Sequence, residues 1–207
     1  MSLDGFVAGP NPTLEQPLGS GGDLLHEWVV PLEVFRERHG LEGGETNSDS
    51  AFVEETLANT GAHVMGRRMF SGGEGPWEDD PNADGWWGDD PPFHTPVFVL
   101  THNAREPLVK QGGTTFAFVT AGPEAALEQA RAAAEDKDVA IAGGASVAQQ
   151  YLAAGFLDEM LIHLIPVLLG DGVRLFENLD SATVKLEQTQ AIESPSGVTH
   201  LRFRVVK

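Results

Sequence analysis

The chain has 207 residues, 41% of them hydrophobic, which suits one globular domain with a sizeable core over residues 1–207. Thirteen Lys and Arg against 31 Asp and Glu give a net charge of −18, which opposes nucleic acid and anionic membrane as partners, so any bound anion must be held locally. With no cysteine, a disulfide framework, a thiolate metal site and a thiol nucleophile are excluded, and the absence of a ~20-residue apolar run or a signal-like start makes the expected setting cytoplasmic.

Met1 to Ala8 reads as the tail of a strand, and Gly9 to Asp23 is too rich in Pro and Gly for anything but a loop. Leu24 to Arg38 is a helical stretch that Pro31 cuts or kinks. From Asp49, the positions Val53, Leu57 and Thr60 recur at helical spacing, with Gly61 as the stop and the strand "AHVM" after it. Ser71 to Thr95 has no period of either kind, yet it holds three of the four tryptophans, Trp77, Trp86 and Trp87. Such a composition either packs the loop or stacks on a ligand, and Trp77 and Trp86 are the candidate substrate contacts.

"PVFVLT" and "TTFAFVT" read as buried strands, and Pro123 opens a helix running to about Ala134. Next come a strand at Val139 to Ala142, a helix from Ala145 to Ala154 and a strand in "LDEMLIHLIPVLLG". "TVKLEQTQAIE" and "VTHLRFRVV", joined by a turn at Pro195 to Gly197, make a hairpin. The sum is an α/β fold of three α/β/α layers with a mixed sheet, mainly parallel and antiparallel at its last edge.

Three features carry chemistry. Gly143-Gly144 lies between a strand and a helix, where the pair either turns the chain or seats a phosphate at the helix N-terminus. Arg67 and Arg68 follow Gly66 at a strand end, and guanidinium forks suit phosphate oxygens, although surface ion pairs would account for them too. Thr101 and His102 close another strand, at the rim where open α/β sheets collect ligands. The seven histidines form no two-ligand pair at helical or strand spacing, so no metal is expected. "GGASVA" is not the usual dinucleotide fingerprint, and neither a P-loop nor a nucleophile elbow is present.

"SLDGFVAGP", "VMGRRMF", "VFVLTH", "IAGGASVAQQYLAAGFLDEM" and "LIPVLLGDGVRLF", in this order, resemble the dihydrofolate reductase-like superfamily. The likeness is greatest to the C-terminal reductase domain of riboflavin-biosynthesis deaminase/reductases. The resemblance implies a reductase that uses NADP(H) to deliver a hydride to a C=N bond of a pterin- or pyrimidine-like heterocycle. It implies that Gly143, Gly144, Ala145, Ser146 and Val147 form the pyrophosphate seat, that Gly66, Arg67 and Arg68 contact phosphates, and that Thr101 and His102 lie near the 2′-phosphate. Asp4, Gly5, Val7 and Ala8, within Leu3 to Gly9, would border the nicotinamide. Asp49, at the head of the helix before "VMGRRMF", would be the substrate-binding carboxylate, desolvated and raised in pKa, although "NSDS" is also ordinary capping sequence. A homodimer is expected from the resemblance and from the apolar "MLIHLIPVLL". The alternative is a non-catalytic NADP(H)-binding regulatory module of the same fold.

Overall fold

A computed structural model describes residues 1–177, 179 and 183–207. In chain order the elements are β1 (Phe6–Ala8), α1 (Glu33–Arg38), α2 (Ser48–Asn59), β2 (Thr60–Gly66), α3 (Arg67–Ser71), β3 (Pro96–Leu100), β4 (Leu108–Val109) and β5 (Thr115–Val119). There follow α4 (Pro123–Ala134), β6 (Asp138–Gly143), α5 (Ala145–Ala153), β7 (Glu159–Leu164), β8 (Val173–Arg174), β9 (Lys185–Glu193) and β10 (Thr199–Val206).

The central sheet has the order β4-β5-β3-β2-β6, parallel throughout except for the antiparallel edge strand β4. Alternation sends Ala62, Val64 and Phe98 to one face, where they meet Ala126, Leu127, Ala130 and Ala134 of α4 and Tyr151 of α5. The alanine stripe on α4 lets that helix lie close to the strands, and the buried Tyr151 hydroxyl donates to Pro123 O at 2.7 Å. Met65, Val97 and Val99 point to the other face, against Phe70 of α3 and Trp77, Trp87 and Phe93. The tryptophan-rich segment thus does the covering that a helix does on the first face.

Three expectations change. The C-terminal hairpin does not extend the parallel sheet: β7, β10 and β9 form an antiparallel sheet of their own, in that order. One face of it, with Met160, Ile162, Leu201, Phe203 and Val205, packs on Leu152 of α5, so the apolar alternation of the last strand is satisfied by a helix. β1 is three residues long and pairs only with β8 among the described residues. Gly61 lies inside β2, because α2 ends at Asn59 and runs into the strand with no connecting residue.

His63 in β2 is buried, with Nδ1 2.9 Å from Thr95 Oγ1. Burial, helped by the Arg38 guanidinium, pushes its pKa from 6.5 down to about 4. A folded histidine that stays neutral while the unfolded one takes a proton gives stability that is complete above pH 6.5 and lost as pH falls towards 4. The loss amounts to up to about 3 kcal/mol. Urea unfolding at both ends of that window checks this: His63→Gln loses less stability on acidification than the wild type, and equal losses would assign the titration to another group.

Candidate functional site

The parallel strands end in register: Gly66 lies opposite Leu100, Leu100 opposite Val119, and Met65 opposite Gly143. Their carboxyl ends therefore form one edge, and Gly66–Arg68, Thr101–His102 and Gly143–Val147 all follow on it. The chain leaves β2 towards β3 and β5, whereas β6 lies on β2's other side. The crevice at such a reversal of strand order is where open α/β sheets hold ligands, and here it falls between Gly66 and Gly143.

The local chemistry there suits an anion. Gly143 has φ +120°, a conformation that disfavours any side chain, and the Gly143–Gly144 peptide is cis. Gly144 is the N-cap of α5 with φ −69°, and a Cβ added to it would meet nothing within 4 Å. No side chain caps the helix, and the Ala145 and Ser146 N–H groups have no partner among the described residues, so the positive end of α5 faces open space. Gly66 brings the strand end against the first turn of α5, where a Cβ would stand 2.9 Å from Val147 Cγ2. Thr101 is buried and receives the Asn103 N–H at 3.1 Å, and His102 beside it is exposed.

The two arginines differ. Arg68 is exposed, and among the described residues it is paired only with Glu74, which is exposed too. Arg67 turns inward, contrary to the expected phosphate contact: Nη2 pairs with Asp80, Nε donates to Ser71 Oγ at 2.9 Å, and the guanidinium stacks 3.2 Å from the Trp77 ring centre. Burial alone would raise Asp80, but the Ser71 hydroxyl and Arg67 hold its carboxyl below the usual range. Arg105 lies over the same indole at 4.6 Å, and Trp77 Nε1 donates to Asn103 O at 2.8 Å. With both cations on its ring and its N–H spent, Trp77 is a packing residue and not a substrate contact. Trp86 packs over Gly72 at the end of α3.

Asp4 accepts the Leu169 and Gly170 N–H groups at 3.2 and 2.7 Å, so its carboxylate orders a neighbouring turn. Gly5 O accepts from Leu175 N, while Val7 and Ala8 lie in β1. Gln149 of α5 donates to Arg174 O and Leu175 O at 3.0 and 3.2 Å, and Leu3 N donates to Val167 O at 2.9 Å. These bonds tie the amino-terminal segment to α5 on one side and to the wall of a cavity on the other.

That cavity, of about 420 Å³, is lined among others by Trp28, Pro31, Glu45, Asn47, Asp49 and Val167, and by no residue of Gly66–Arg68 or Gly143–Val147. Asp49 is fully buried at its wall, in the first turn of α2, whose N-cap is Asn47 in a capping box with Ser50. Oδ1 receives His200 Nε2 at 2.6 Å, and Oδ2 has no hydrogen-bond partner among the described residues. His200 Nδ1 lies 2.7 Å from His163 Nδ1. Phe52 stacks on His200 at 4.7 Å, and Trp28 packs against both imidazoles at 4.8 and 5.1 Å. The expected rise in the Asp49 pKa is corrected: burial raises it, but the Ser194, His200 and Ser196 groups beside the carboxylate outweigh burial and hold it below the ordinary range. Ser194 and Ser196 hydroxyls bond each other at 2.9 Å. The histidine pair and Trp28 are site residues that the sequence did not single out.

No group of residues able to hold a metal ion occurs among the described residues, and no described helix is long and apolar enough to cross a membrane.

Residues 1–200 match the family model of the RibD C-terminal domain. No curated protein matches the chain in sequence. Among solved structures, a Shewanella sp. PV-4 protein whose name assigns it to riboflavin biosynthesis is 23% identical, with 100% of this chain and 96% of that one covered and a TM-score of 0.61. A pyrimidine reductase-like protein from Corynebacterium diphtheriae is 15% identical over 100% and 89% of the two chains, with a TM-score of 0.51. A diaminohydroxyphosphoribosylaminopyrimidine deaminase/5-amino-6-(5-phosphoribosylamino)uracil reductase from Thermotoga maritima is 13% identical, with a TM-score of 0.57; 99% of this chain is covered but only 54% of that one. At these identities the likeness is one of fold, the mixed α/β arrangement of the dihydrofolate reductase-like proteins. With the family model matched over nearly its whole length, the chain belongs to the RibD C-terminal domain family.

Proposed function

We propose that the protein is a single-domain reductase that takes a hydride from NADPH and delivers it to a C=N bond of a pterin- or pyrimidine-like ring. One observation carries this reading: the switch point between β2 and β6 brings Gly66, the open side of Gly144 and the uncapped start of α5 together on one edge. Gly143, Gly144 and the Ala145 and Ser146 N–H groups fit a pyrophosphate, with Val147 packing the turn against Gly66. Arg68, Thr101 and His102 stand ready for the 2′-phosphate. Asp4 and Gly5 hold the segment that would border the nicotinamide, with Val7 and Ala8 continuing it as β1. Bound NADPH would supply the reducing electrons, and the chain's own residues bind, orient and handle protons. Asp49, at the cavity wall with one oxygen unspent, suits a ring N–H and an amino group.

With charge-assisted contacts worth ~1.5–3 kcal/mol from Arg68 and His102, NADPH binds ~10-fold or more tightly than NADH. Fluorescence titration of both cofactors checks this, and equal affinities would remove the 2′-phosphate contacts from the reading.

The full burial of Asp49 favours a second reading, a non-catalytic NADP(H)-binding regulatory module. Oxidation of NADPH on adding a heterocyclic acceptor separates the two, since a module binds the cofactor without consuming it. The protein is further proposed to be a homodimer. Met160 and Ile162 are used within the chain, so this rests on the family and on exposed apolar residues such as Leu168 and Leu3. Light scattering should give twice the 22.2 kDa chain mass, and the chain mass itself at micromolar concentration would contradict it.

A further inference from the structure

Two imidazoles whose Nδ1 atoms stand 2.7 Å apart must share one proton, since two bare nitrogens would repel and two N–H groups would clash. The other nitrogen of His200 faces a carboxylate oxygen at 2.6 Å and must donate to it. Neutral His200 therefore carries its proton on Nε2 and accepts at Nδ1, and His163 carries its proton on Nδ1. Both donors point towards Asp49. His163 stays neutral, because burial and then His200 push its pKa down to about 3. The two ends differ in access: Asp49 and His200 are fully buried, whereas His163 is only partly so. Phe52 and Trp28 cover the rings, which leaves the hydrogen bonds as the path between the ends.

We propose that His163, His200 and Asp49 form a proton relay that enters at His163 and delivers at the cavity. The proposal rests on the reductase reading above. When hydride adds to the carbon of a C=N bond, the π electrons move to nitrogen, which must take a proton. Asp49 rests as a carboxylate, so the proton starts on His200: Nε2 passes it to the carboxylate, which hands it to the ring nitrogen and is again a carboxylate. His163 Nδ1 then reprotonates His200 at Nδ1, and His163 takes a proton from solvent at Nε2, which leaves both rings in the opposite tautomer until they turn back. Atoms and charge balance, with the dihydronicotinamide oxidised to nicotinamide as the ring is reduced. His200 and His163 are positioning residues that act through Asp49. Among the described residues, the other polar and titratable groups around this relay include Glu27, Glu45 and Asn47 on the cavity wall, His26, the Ser194 and Ser196 hydroxyls, and the Met1 amino group, which donates to His163 O at 2.6 Å.

Nitrogen-15 NMR of the histidine-labelled intact protein tests the arrangement without any ligand. At neutral pH His163 should be protonated on Nδ1 and His200 on Nε2. Any proton the network takes up on acidification should leave His163 neutral and move it from the Nδ1 to the Nε2 tautomer. Two bare Nδ1 atoms, or a proton that stays on His163 as imidazolium, would overturn the relay. His163→Gln keeps a donor to His200 but cannot pass a proton on, so with NADPH and dihydropterin as the acceptor probe kcat should fall ~10-fold or more. The solvent isotope effect should rise, with KM and the thermal midpoint unchanged. Turnover at the wild-type rate would make the network purely structural. If the wild type itself consumes no NADPH with dihydropterin, the failure lies with the reductase reading for that acceptor, and the tautomers and their inversion still decide the relay.

Discussion

Asp49→Asn lowers kcat/KM ~100-fold or more and leaves NADPH affinity unchanged, a loss of about 2.7 kcal/mol in transition-state stabilisation. The amide keeps an oxygen for His200 Nε2, so the bond from α2 to β10 survives and the protein folds. What disappears is the negative charge and the second acceptor, the two properties that a ring N–H and amino group need. The carboxylate is fully buried, so its interactions are little screened by water. Steady-state kinetics with a pterin or pyrimidine acceptor, cofactor titration and a thermal midpoint together give the answer. Unchanged turnover would reduce Asp49 to a clasp between α2 and β10, and lost NADPH affinity would mean that the cofactor site has been misplaced.

Gly144→Val weakens NADPH binding by ~10-fold or more without unfolding the protein. The two glycines separate cleanly here. Gly143, at φ +120°, tolerates no side chain for reasons of backbone strain, so Gly143→Ala costs stability whether or not a ligand binds. Gly144 has an ordinary φ and open space where its Cβ would go, so the internal packing does not forbid a side chain there. A branched side chain instead fills the space through which a pyrophosphate would approach the Ala145 and Ser146 N–H groups. Calorimetric titration alongside thermal melts checks both variants, and a folded Gly144→Val protein with normal affinity would rule out the seat.

Strand ends and helix starts were legible where the signal is local. Gly143-Gly144 followed by helical spacing marked the β6–α5 turn, and Pro123 marked α4, because backbone conformation and capping are decided within a few residues. The sequence puts Asp49 at the head of its helix, where it stands, but its ionisation is not readable there. Its lowered pKa comes from His200, Ser194 and Ser196, which are remote in sequence. His200 itself was hidden by the pattern that revealed its strand. Leu201, Phe203 and Val205 alternate towards α5, which by period alone assigns His200 and Arg202 to solvent, yet Phe52 and Trp28 bury His200 on that second face. Arg67 misled for a similar reason. A guanidinium at a strand end fits a phosphate, and only the folded loop shows that Asp80 has taken that place.

The bond between Asp49 and His200 joins residues 151 apart in the chain. During synthesis Thr199–Val206 leaves the ribosome after every other element described here, when the parallel sheet and the Gly143-Gly144 turn already have all their strands. β10 is also the middle strand of its sheet, so a chain cut short before Thr199 loses the carboxylate's partner and the pairing of β7 and β9 in the same stroke. Incomplete chains are therefore marked by exposed strand edges and unburied apolar side chains, the features that chaperones and proteases act on.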